Sequence, residues 1–400
     1  MKYAIILPDG CADEPIPALG NRTALEAAFL PNMDAIARQG IVGWSNNTPM
    51  NLPAGSDVAT MCVLGFDPQQ YYTGRAPLET VAMGIDLGPR DWAIRCNLVS
   101  IFDGKMRSFN AGQISSAEGA ELLQAAQEKL GTDAISFYPG VSYRNIVVWR
   151  DAPSSPAPLR ATTRSFAPHD FSGASILNAH PFGPGSVELA DIMAETHKIF
   201  EDHPVNKKRV ATDKLPATDI WLWGQGLRPN MPLFREQYGK TGAMITAVDL
   251  LRGLASVLGW ERIDVPGATG FADTNYRGKG EAAVRALQSH DLVCVHIEAP
   301  DEAGHDGAPD TKKHALEQID QHIVGPIHEA LKSYGEYRIL VTPDHPTPVR
   351  TKTHSHENVP WIACGTGLEP NSPLEYNESA AAQSDVHFEE GFRLMEFFLG

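Results

Sequence analysis

Apolar runs that alternate with helical patterns are the feature that most constrains the fold of this 400-residue chain. Tyr3–Leu7, Leu292–Ile297 and Arg338–Thr342 have the length and apolar character of buried strands. Between the last two, residues 312–333 repeat apolar side chains at the three- and four-residue spacing of a helix. Buried strands that alternate with helices are typical of a mostly parallel sheet flanked by helices. The sequence therefore predicts an α/β fold.

The length predicts two domains, because 400 residues exceed one ordinary core. Residues 95–184 mix short strand candidates with a helix at Ser116–Leu130 and a loop rich in proline and serine at 152–158. We expect 95–184 to form a smaller α+β substrate or lid domain. It would be inserted into a larger core domain made of residues 1–94 and 185–400.

Composition and charge exclude several classes of function. The chain is 42% hydrophobic and 20% charged, as in soluble globular proteins, and no apolar stretch approaches a bilayer span. Its opening apolar run is too short for a signal peptide, so we expect a cytoplasmic protein without a membrane partner. A net charge of −16 argues against a nucleic-acid partner but not against a small phosphorylated substrate. Five dispersed cysteines argue against a disulfide framework or a thiolate zinc site.

Acidic and histidine side chains follow the three predicted strands. Asp9, Asp301 and Asp344 each come just after one of them, and parallel strands present their carboxyl ends at one edge of the sheet. His305 lies four residues after Asp301, which places both on one face of a helix. His345 directly follows Asp344. Considered alone, Asp9 is better explained as a turn aspartate that caps the next segment, but the convergence of several strands favours a shared site.

Ser56 and His354 complete this set. Ser56 lies in a Gly-Ser-Asp segment that enters a predicted helix, where amide groups favour both a nucleophilic oxygen and an arriving phosphate. The alternative is that Ser56 or Asp57 caps that helix. His354 and His356 lie in a loop close behind His345, and either can complete a metal site.

Carboxylates and imidazoles suit two divalent ions such as Mn²⁺, Zn²⁺ or Mg²⁺. A pair of such ions clamps the attacking and leaving oxygens of an in-line displacement, and metal coordination activates a serine hydroxyl. The residues therefore predict a metal-assisted phosphoryl-transfer or hydrolytic enzyme.

The same residues resemble the alkaline phosphatase superfamily, and within it the archaeal type of 2,3-bisphosphoglycerate-independent phosphoglycerate mutase. The resemblance covers essentially the whole chain in seven ordered blocks. These blocks are Leu7–Gly10; Gly55–Asp57 with Leu64–Pro68; Tyr72–Glu79; Arg95–Leu98; Trp221–Gly226; Ala299–His305; and Thr342–His345 with His354–Ser355 and Val359–Pro360.

The resemblance implies an alkaline phosphatase-like fold and an interconversion of 3-phosphoglycerate and 2-phosphoglycerate. It implies that Ser56 is the catalytic nucleophile, which becomes phosphorylated and donates the group back. It also implies two metal sites, one made of Asp9, Ser56, Asp344 and His345 and the other of Asp301, His305 and His354.

Cationic residues that could contact the substrate are Arg75, Arg95, Arg144 and Lys240, each equally able to be an ordinary surface cation. The chain departs from the family at two places: residues 107–114 lack an arginine-rich stretch, and Thr60 stands where relatives commonly carry histidine.

These departures leave a second hypothesis open, a homoserine kinase-like phosphotransferase that uses the same residues on another small acceptor. A third hypothesis is a metal-binding scaffold without catalysis. A scaffold would not need Ser56, which argues against it.

Overall fold

The computed structural model describes residues 1–153, 155–371 and 373–400. Ser154, inside the loop predicted at 152–158, lies outside the described residues. The chain forms two compact units, Met1–Tyr72 with Met231–Gly400 and, between them in sequence, Thr73–Asn230. No helix in the described part of the chain combines the length and apolar character needed to cross a bilayer.

Strands occur in both units. They are β1 (Lys2–Pro8), β2 (Ile41–Ser45), β3 (Trp92–Phe102), β4 (Lys105–Ser108), β5 (Ile135–Val141), β6 (Arg144–Trp149), β7 (Asp219–Leu227), β8 (Gly242–Ile245), β9 (Glu261–Ile263), β10 (Leu292–Ile297), β11 (Tyr337–Val341), β12 (Val359–Gly365) and β13 (His387–Phe388).

Helices alternate with these strands. They are α1 (Ala24–Ala27), α2 (Pro31–Gln39), α3 (Ser56–Val63), α4 (Pro68–Tyr71), α5 (Arg75–Ala82), α6 (Ser116–Leu130), α7 (Ser186–Glu201), α8 (Pro204–Ala211), α9 (Phe234–Tyr238), α10 (Asp249–Val257), α11 (Tyr276–Ala286), α12 (Ala299–Asp306), α13 (Pro309–Ile319), α14 (Gly325–Lys332), α15 (Glu378–Ala382) and α16 (Arg393–Leu399). Short 3₁₀ turns lie at Pro17–Leu19 and Pro168–Phe171, and a π turn lies at Asp320–Val324.

The first unit is built on an eight-stranded sheet in the order β13-β2-β12-β11-β1-β10-β8-β9. Its centre is parallel, because β1 pairs in parallel with both β10 and β11, and β10 with β8. Among the described strands of this sheet, β12 alone runs antiparallel to both of its neighbours. The predicted α/β fold with a mostly parallel sheet is thus confirmed.

The register of the three central strands aligns their carboxyl ends. Pro8 pairs with Ile297, and Ile6 pairs with Val341. Every residue of β10 is buried, as is all of β1 except Lys2, because helices cover both faces of the sheet. Loops that leave these strands therefore start at the same sheet edge.

The helix predicted over residues 312–333 is interrupted by the π turn. Its five apolar positions are fully buried against the sheet: Ala315, Ile319, Ile323, Ile327 and Leu331. Pro326 has no N–H to donate to the carbonyl of His322. That carbonyl lies against Gly280 of α11, where a Cβ would clash with it. The interruption follows from the proline and from this close packing of α11.

The second unit contains a five-stranded sheet in the order β4-β3-β6-β5, with β7 also paired to β3. All of these pairings are antiparallel. Helix α6 follows the predicted bounds and begins with a capping box between Ser115 and Glu118.

This unit is longer than the predicted segment 95–184. Strand β7 pairs along β3 from Trp92 to Val99, and α5 packs on both strands. The segment Pro181–Gly185, where the predicted inserted domain ends, bridges to Arg164 and leads into α7 of the same unit. Pairing between strands far apart in the sequence sets the boundaries of this unit, and local sequence patterns do not predict such pairing.

Candidate active site

Asp9 is the first residue after β1, and its side chain is fully buried. Its backbone N–H donates to Ile297 O over 3.0 Å, which fixes the turn to the end of β10. The next residue, Gly10, has a φ of +60°, and a Cβ there would clash with Asp301 and Thr347. Glycine is required on both counts, and it allows the loops after β1, β10 and β11 to meet.

Ser56 is the first residue of α3, but its hydroxyl does not cap that helix. The N-cap is Gly55, and the side chain that accepts from a first-turn N–H is that of Asp57, whose Oδ1 accepts from Val58 N–H over 3.1 Å. Ser56 Oγ lies 3.2 Å from Asp9 Oδ2 and 3.2 Å from His345 Nε2. The capping alternative is therefore excluded for this hydroxyl, which faces the carboxylate and imidazole instead.

Asp344 and His345 follow β11 and are fully buried. Asp344 Oδ1 accepts from Gly10 N–H (3.3 Å), and Asp344 Oδ2 accepts from the Thr60 hydroxyl (3.2 Å). His345 Nε2 lies 3.4 Å from Asp9 Oδ1 and 3.7 Å from Asp344 Oδ2. The four residues predicted for one metal site, Asp9, Ser56, Asp344 and His345, are therefore in contact with one another.

Asp301, His305 and His354 form an adjoining group. Asp301 and His305 lie one turn apart on α12, and His305 Nε2 is 3.2 Å from Asp301 Oδ2. His354 Nε2 lies 3.4 Å from Asp301 Oδ1 and 3.0 Å from His305 Nε2. His356, the alternative to His354, bonds to Thr48 O through Nδ1. The structure thus brings together the three residues predicted for the second metal site.

Backbone carbonyls orient the two histidines of this group. His305 Nδ1 lies 3.0 Å from Lys352 O, and His354 Nδ1 lies 2.8 Å from Ala54 O. Because a carbonyl oxygen only accepts, Nδ1 carries the hydrogen in both rings. In the neutral rings both Nε2 lone pairs therefore face each other, an arrangement that a bound cation would stabilise.

Electrostatics in the buried cluster are those of carboxylates crowded in a dry interior. Burial, followed by the charge of Asp344, raises the pKa of Asp9 well above its usual value. Burial acts to raise the pKa of Asp301 as well, but hydrogen bonds from the protonated rings of His305 and His354 outweigh it and hold the pKa well below its ordinary range. The reciprocal effect raises the pKa of His305 to about 9, against the opposing effect of burial. A divalent cation in this cluster would compete with these protons, because metal ligands bind in their deprotonated form.

The donor set fits divalent cations. Among the described residues, Asp301, His305 and His354 form one group of potential ligand atoms within 4.8 Å of one another, and Asp9, Asp301 and His345 form another. Asp9 Oδ1 is buried and has no hydrogen-bond partner. Buried polar atoms are normally paired, and a bound cation would satisfy this oxygen. Hard oxygens combined with imidazole nitrogens suit Mn²⁺, Zn²⁺ and Mg²⁺.

Sequence analysis missed a third group, Asp9 with His296 and Glu298. His296 Nε2 lies 2.7 Å from Asp9 Oδ2, and its Nδ1 lies 3.0 Å from the Thr246 hydroxyl. Lys279, also fully buried, donates to His296 O over 3.0 Å. The available signal was a histidine near the carboxyl end of an otherwise apolar strand.

Arg75, Arg95 and Arg144 all belong to the second unit. Arg95 is buried, lies 2.9 Å from Glu79 and stacks over the Trp223 ring at 4.2 Å. Arg75 lies 3.3 Å from the same Glu79. Burial, and then repulsion from Arg75 and Arg144, lower the pKa of Arg95 to about 10, although Glu79 opposes this. Arg144 lies over the Tyr143 ring at 5.2 Å, near enough to Arg95 to repel it. A cluster of mutually repelling guanidinium groups suits an anion.

Lys240, the fourth cation predicted to contact the substrate, lies at the wrong edge of the sheet. Its ammonium is 6.0 Å from the centre of the Tyr3 ring, and its neighbour Thr241 bonds to Asp291, just before β10. Both contacts are at the amino ends of β1 and β10. Asp9 and Asp301 follow the carboxyl ends, so the position of Lys240 contradicts its predicted role.

Comparison with known proteins gives the family of the chain. Residues 37–206 match the family model for 2,3-bisphosphoglycerate-independent phosphoglycerate mutase. The chain is 46% identical to a probable mutase of this name from Geobacter sulfurreducens and 47% identical to one from Methanothrix thermoacetophila. In both cases 100% of each chain is covered. The chain belongs to the 2,3-bisphosphoglycerate-independent phosphoglycerate mutase family. The predicted family and enzyme class are thus confirmed.

Solved structures agree with membership of the mutase family. A Pyrococcus horikoshii protein superposes with a TM-score of 0.82 at 27% identity, and the comparison covers 100% of this chain and 96% of the other. A cofactor-independent phosphoglycerate mutase from Thermoplasma acidophilum has a TM-score of 0.66 at 28% identity, with 100% and 99% covered. Nearly full coverage on both sides means that the likeness extends to both compact units.

Proposed function

We propose that this member of the mutase family interconverts 3-phosphoglycerate and 2-phosphoglycerate through a phosphoserine on Ser56. The observation that carries the proposal is the position of Ser56 Oγ, 3.2 Å from both Asp9 Oδ2 and His345 Nε2. The names of the relatives, at 46–47% identity, support phosphoglycerate as the substrate. A cytoplasmic location fits this activity.

Two divalent ions would be held by the chain. Asp9, Ser56, Asp344 and His345 would hold one, and Asp301, His305 and His354 the other. When bound, such ions neutralise phosphate charge and favour the ionised form of a hydroxyl. The protein itself fixes the donors: Thr60 and Gly10 hold Asp344, and the carbonyls of Lys352 and Ala54 hold the two histidines.

The proposed reaction has two displacements at phosphorus. In the first, Ser56 Oγ forms a bond to phosphorus as the bond from phosphorus to O3 of the substrate breaks. The serine proton is lost to the surrounding groups, and the released O3 gains a proton. Glycerate therefore forms with no net uptake or release of protons. In the second, O2 of glycerate forms a bond to phosphorus as the bond from phosphorus to Ser56 Oγ breaks. The proton of O2 is lost to the surrounding groups, and Ser56 Oγ gains one. Catalysis rests mainly on positioning and charge stabilisation.

We also propose that Arg75, Arg95 and Arg144 bind anionic groups of the substrate. Glu79 holds two of them in place, and the repulsion of Arg95 by Arg75 and Arg144 supports the assignment, because a bound anion would relieve it. Lys240 is not included, because it lies at the amino ends of the central strands.

The test is turnover of 3-phosphoglycerate by protein loaded with Mn²⁺, followed by ³¹P NMR in the absence of 2,3-bisphosphoglycerate. We expect 2-phosphoglycerate to form, EDTA to abolish its formation, and added Mn²⁺ to restore it. A short pulse with substrate should leave phosphate on the peptide that contains Ser56.

Two results would contradict the proposal. Full activity in EDTA would reject the metal sites. Absence of 2-phosphoglycerate, together with transfer of phosphate to homoserine, would favour a kinase-like phosphotransferase instead.

A further inference from the structure

Thr347 is a fully buried residue between the two proposed metal sites. Its hydroxyl donates a hydrogen bond to Asp301 Oδ1, a member of one site. The same oxygen lies 3.3 Å from His345 Nδ1, a member of the other. One side-chain oxygen therefore touches both ligand groups.

The direction of these two hydrogen bonds follows from the partners. An ionised carboxylate only accepts, so the Thr347 hydroxyl donates to Asp301. His345 Nδ1 also lies 3.3 Å from Pro346 O, and a carbonyl likewise only accepts. Nδ1 therefore carries the ring hydrogen and donates toward Thr347 Oγ1. This leaves the lone pair of His345 Nε2 directed toward Ser56 and Asp9.

The backbone of Thr347 is held at both of its polar atoms. Its N–H donates to Gly10 O over 3.2 Å, and its carbonyl accepts from Lys312 Nζ over 2.8 Å. Gly304 of α12 lies against the same carbonyl, where a Cβ would clash. The hydroxyl is thus fixed relative to the loops after β1, β10 and β11.

We infer that Thr347 is a positioning residue that couples the two proposed metal sites, because its single hydroxyl orients Asp301 in one and His345 in the other. The identity of the two sites rests on the proposed function. Thr347 touches no reacting atom in this assignment, so its removal should weaken the sites rather than the chemistry.

The experiment compares Thr347→Val, which keeps the shape and loses the hydroxyl, with Thr347→Ser, which keeps the hydroxyl. Calorimetric titration of the full chain with Mn²⁺ measures both sites without substrate. Loss of a hydrogen-bond partner behind a metal ligand typically lowers affinity by about 10- to 100-fold. We expect Thr347→Val to lower the affinity of both sites by at least about tenfold, Thr347→Ser by less than about threefold, and saturating Mn²⁺ to restore turnover.

Thr196→Val is the matched control. Thr196 is also fully buried, and its hydroxyl donates to Met193 O and accepts from Ile220 N–H in the second unit. Its substitution should leave Mn²⁺ affinity unchanged. If the valine variant of Thr347 weakens one site only or neither, the coupling is wrong. If it fails to fold while the serine variant folds, the hydroxyl is a folding requirement, and the inference is likewise overturned.

Failure of this inference can be separated from failure of the proposed function. Wild-type protein that binds two Mn²⁺ ions and turns over phosphoglycerate, together with a Thr347→Val variant of equal affinity, contradicts the inference alone. Wild-type protein without mutase activity, whose Mn²⁺ affinity nevertheless falls on Thr347→Val, contradicts the proposed function alone.

Discussion

Ser56 Oγ and His345 Nε2 lie 3.2 Å apart although 289 residues separate them along the chain. Ser56 begins α3, whereas His345 follows β11, so the contact is between two segments that are distant in the sequence. A buried serine hydroxyl has no need of an imidazole and a carboxylate for packing. The arrangement instead suits a nucleophile, and it leads to the first prediction.

Ser56→Ala should abolish turnover while the protein still folds and binds metal. Without the hydroxyl no phosphoserine can form, and we expect activity to fall by at least about 10,000-fold. Six other side chains still supply ligands, so metal content should remain near the wild-type value. Coupled assay of 2-phosphoglycerate and elemental analysis measure the two quantities. Ser45→Ala, which removes a buried hydroxyl on β2, is the control; an active Ser56→Ala variant would reject the covalent mechanism.

Arg144→Ala should raise the KM for 3-phosphoglycerate with a smaller effect on kcat. A hydrogen bond to a charged group contributes roughly 1.5–3 kcal/mol, which corresponds to an increase of about tenfold or more. Steady-state kinetics at saturating Mn²⁺ measure the change. Lys240→Ala is the matched control, since it also removes a cation but one that lies near Tyr3. Equal effects of the two substitutions would contradict the assignment of the anion site.

Lys312→Met should strongly destabilise the first unit. Lys312 and Asp13 are both almost completely buried and lie 2.7 Å apart. Removing one member of a buried ion pair leaves the other charge uncompensated, at a cost of about 3–5 kcal/mol. Chemical denaturation monitored by circular dichroism measures the loss. Lys313→Met, at a partly exposed pair with Glu317 on the same helix, should cost less than about 1 kcal/mol; a similar loss in both variants would argue against this reasoning.

His328 should make the stability of the chain fall as the pH is lowered. It is buried between Tyr337 and Cys364, and burial lowers its pKa from 6.5 to about 4. Between these values the unfolded chain binds the proton more readily, so this contribution is complete above pH 6.5 and is lost as the pH falls toward 4. A shift of this size corresponds to about 3 kcal/mol.

The difference in free energy of unfolding between wild-type protein and His328→Gln isolates the contribution of His328. We expect the variant to lack that part of the pH dependence, as measured by denaturation at pH 7 and at pH 4.5. Parallel stability curves for the two proteins would mean that His328 does not titrate differently on folding.

The central strands could be predicted because each is long, apolar and buried on both faces. Leu292–Ile297 matches β10 residue for residue, and Arg338–Thr342 lies within one residue of β11. Strand β7 was not predicted as part of the second unit, since its place depends on pairing with β3. Local patterns specify strands, but they do not specify distant partners.

The candidate site shows the same division. Asp9, Asp301 and Asp344 could be grouped in advance, because parallel strands present their ends at one edge. Lys240 could not be excluded from sequence, because nothing local says at which edge a loop cation lies. Thr347 and His296 were also missed, since the role of a buried hydroxyl or imidazole depends on the groups that the fold places around it.

The sequence by itself determined the α/β class, the buried strands and the residues that stand at their carboxyl ends. Those properties depend on the order of apolar and polar side chains, which is local. Only the tertiary structure decided that Thr347 joins both ligand groups, that Lys240 lies at the opposite edge, and where the second unit begins. Those properties depend on distances between different segments of the chain, which are set by strand register and close packing.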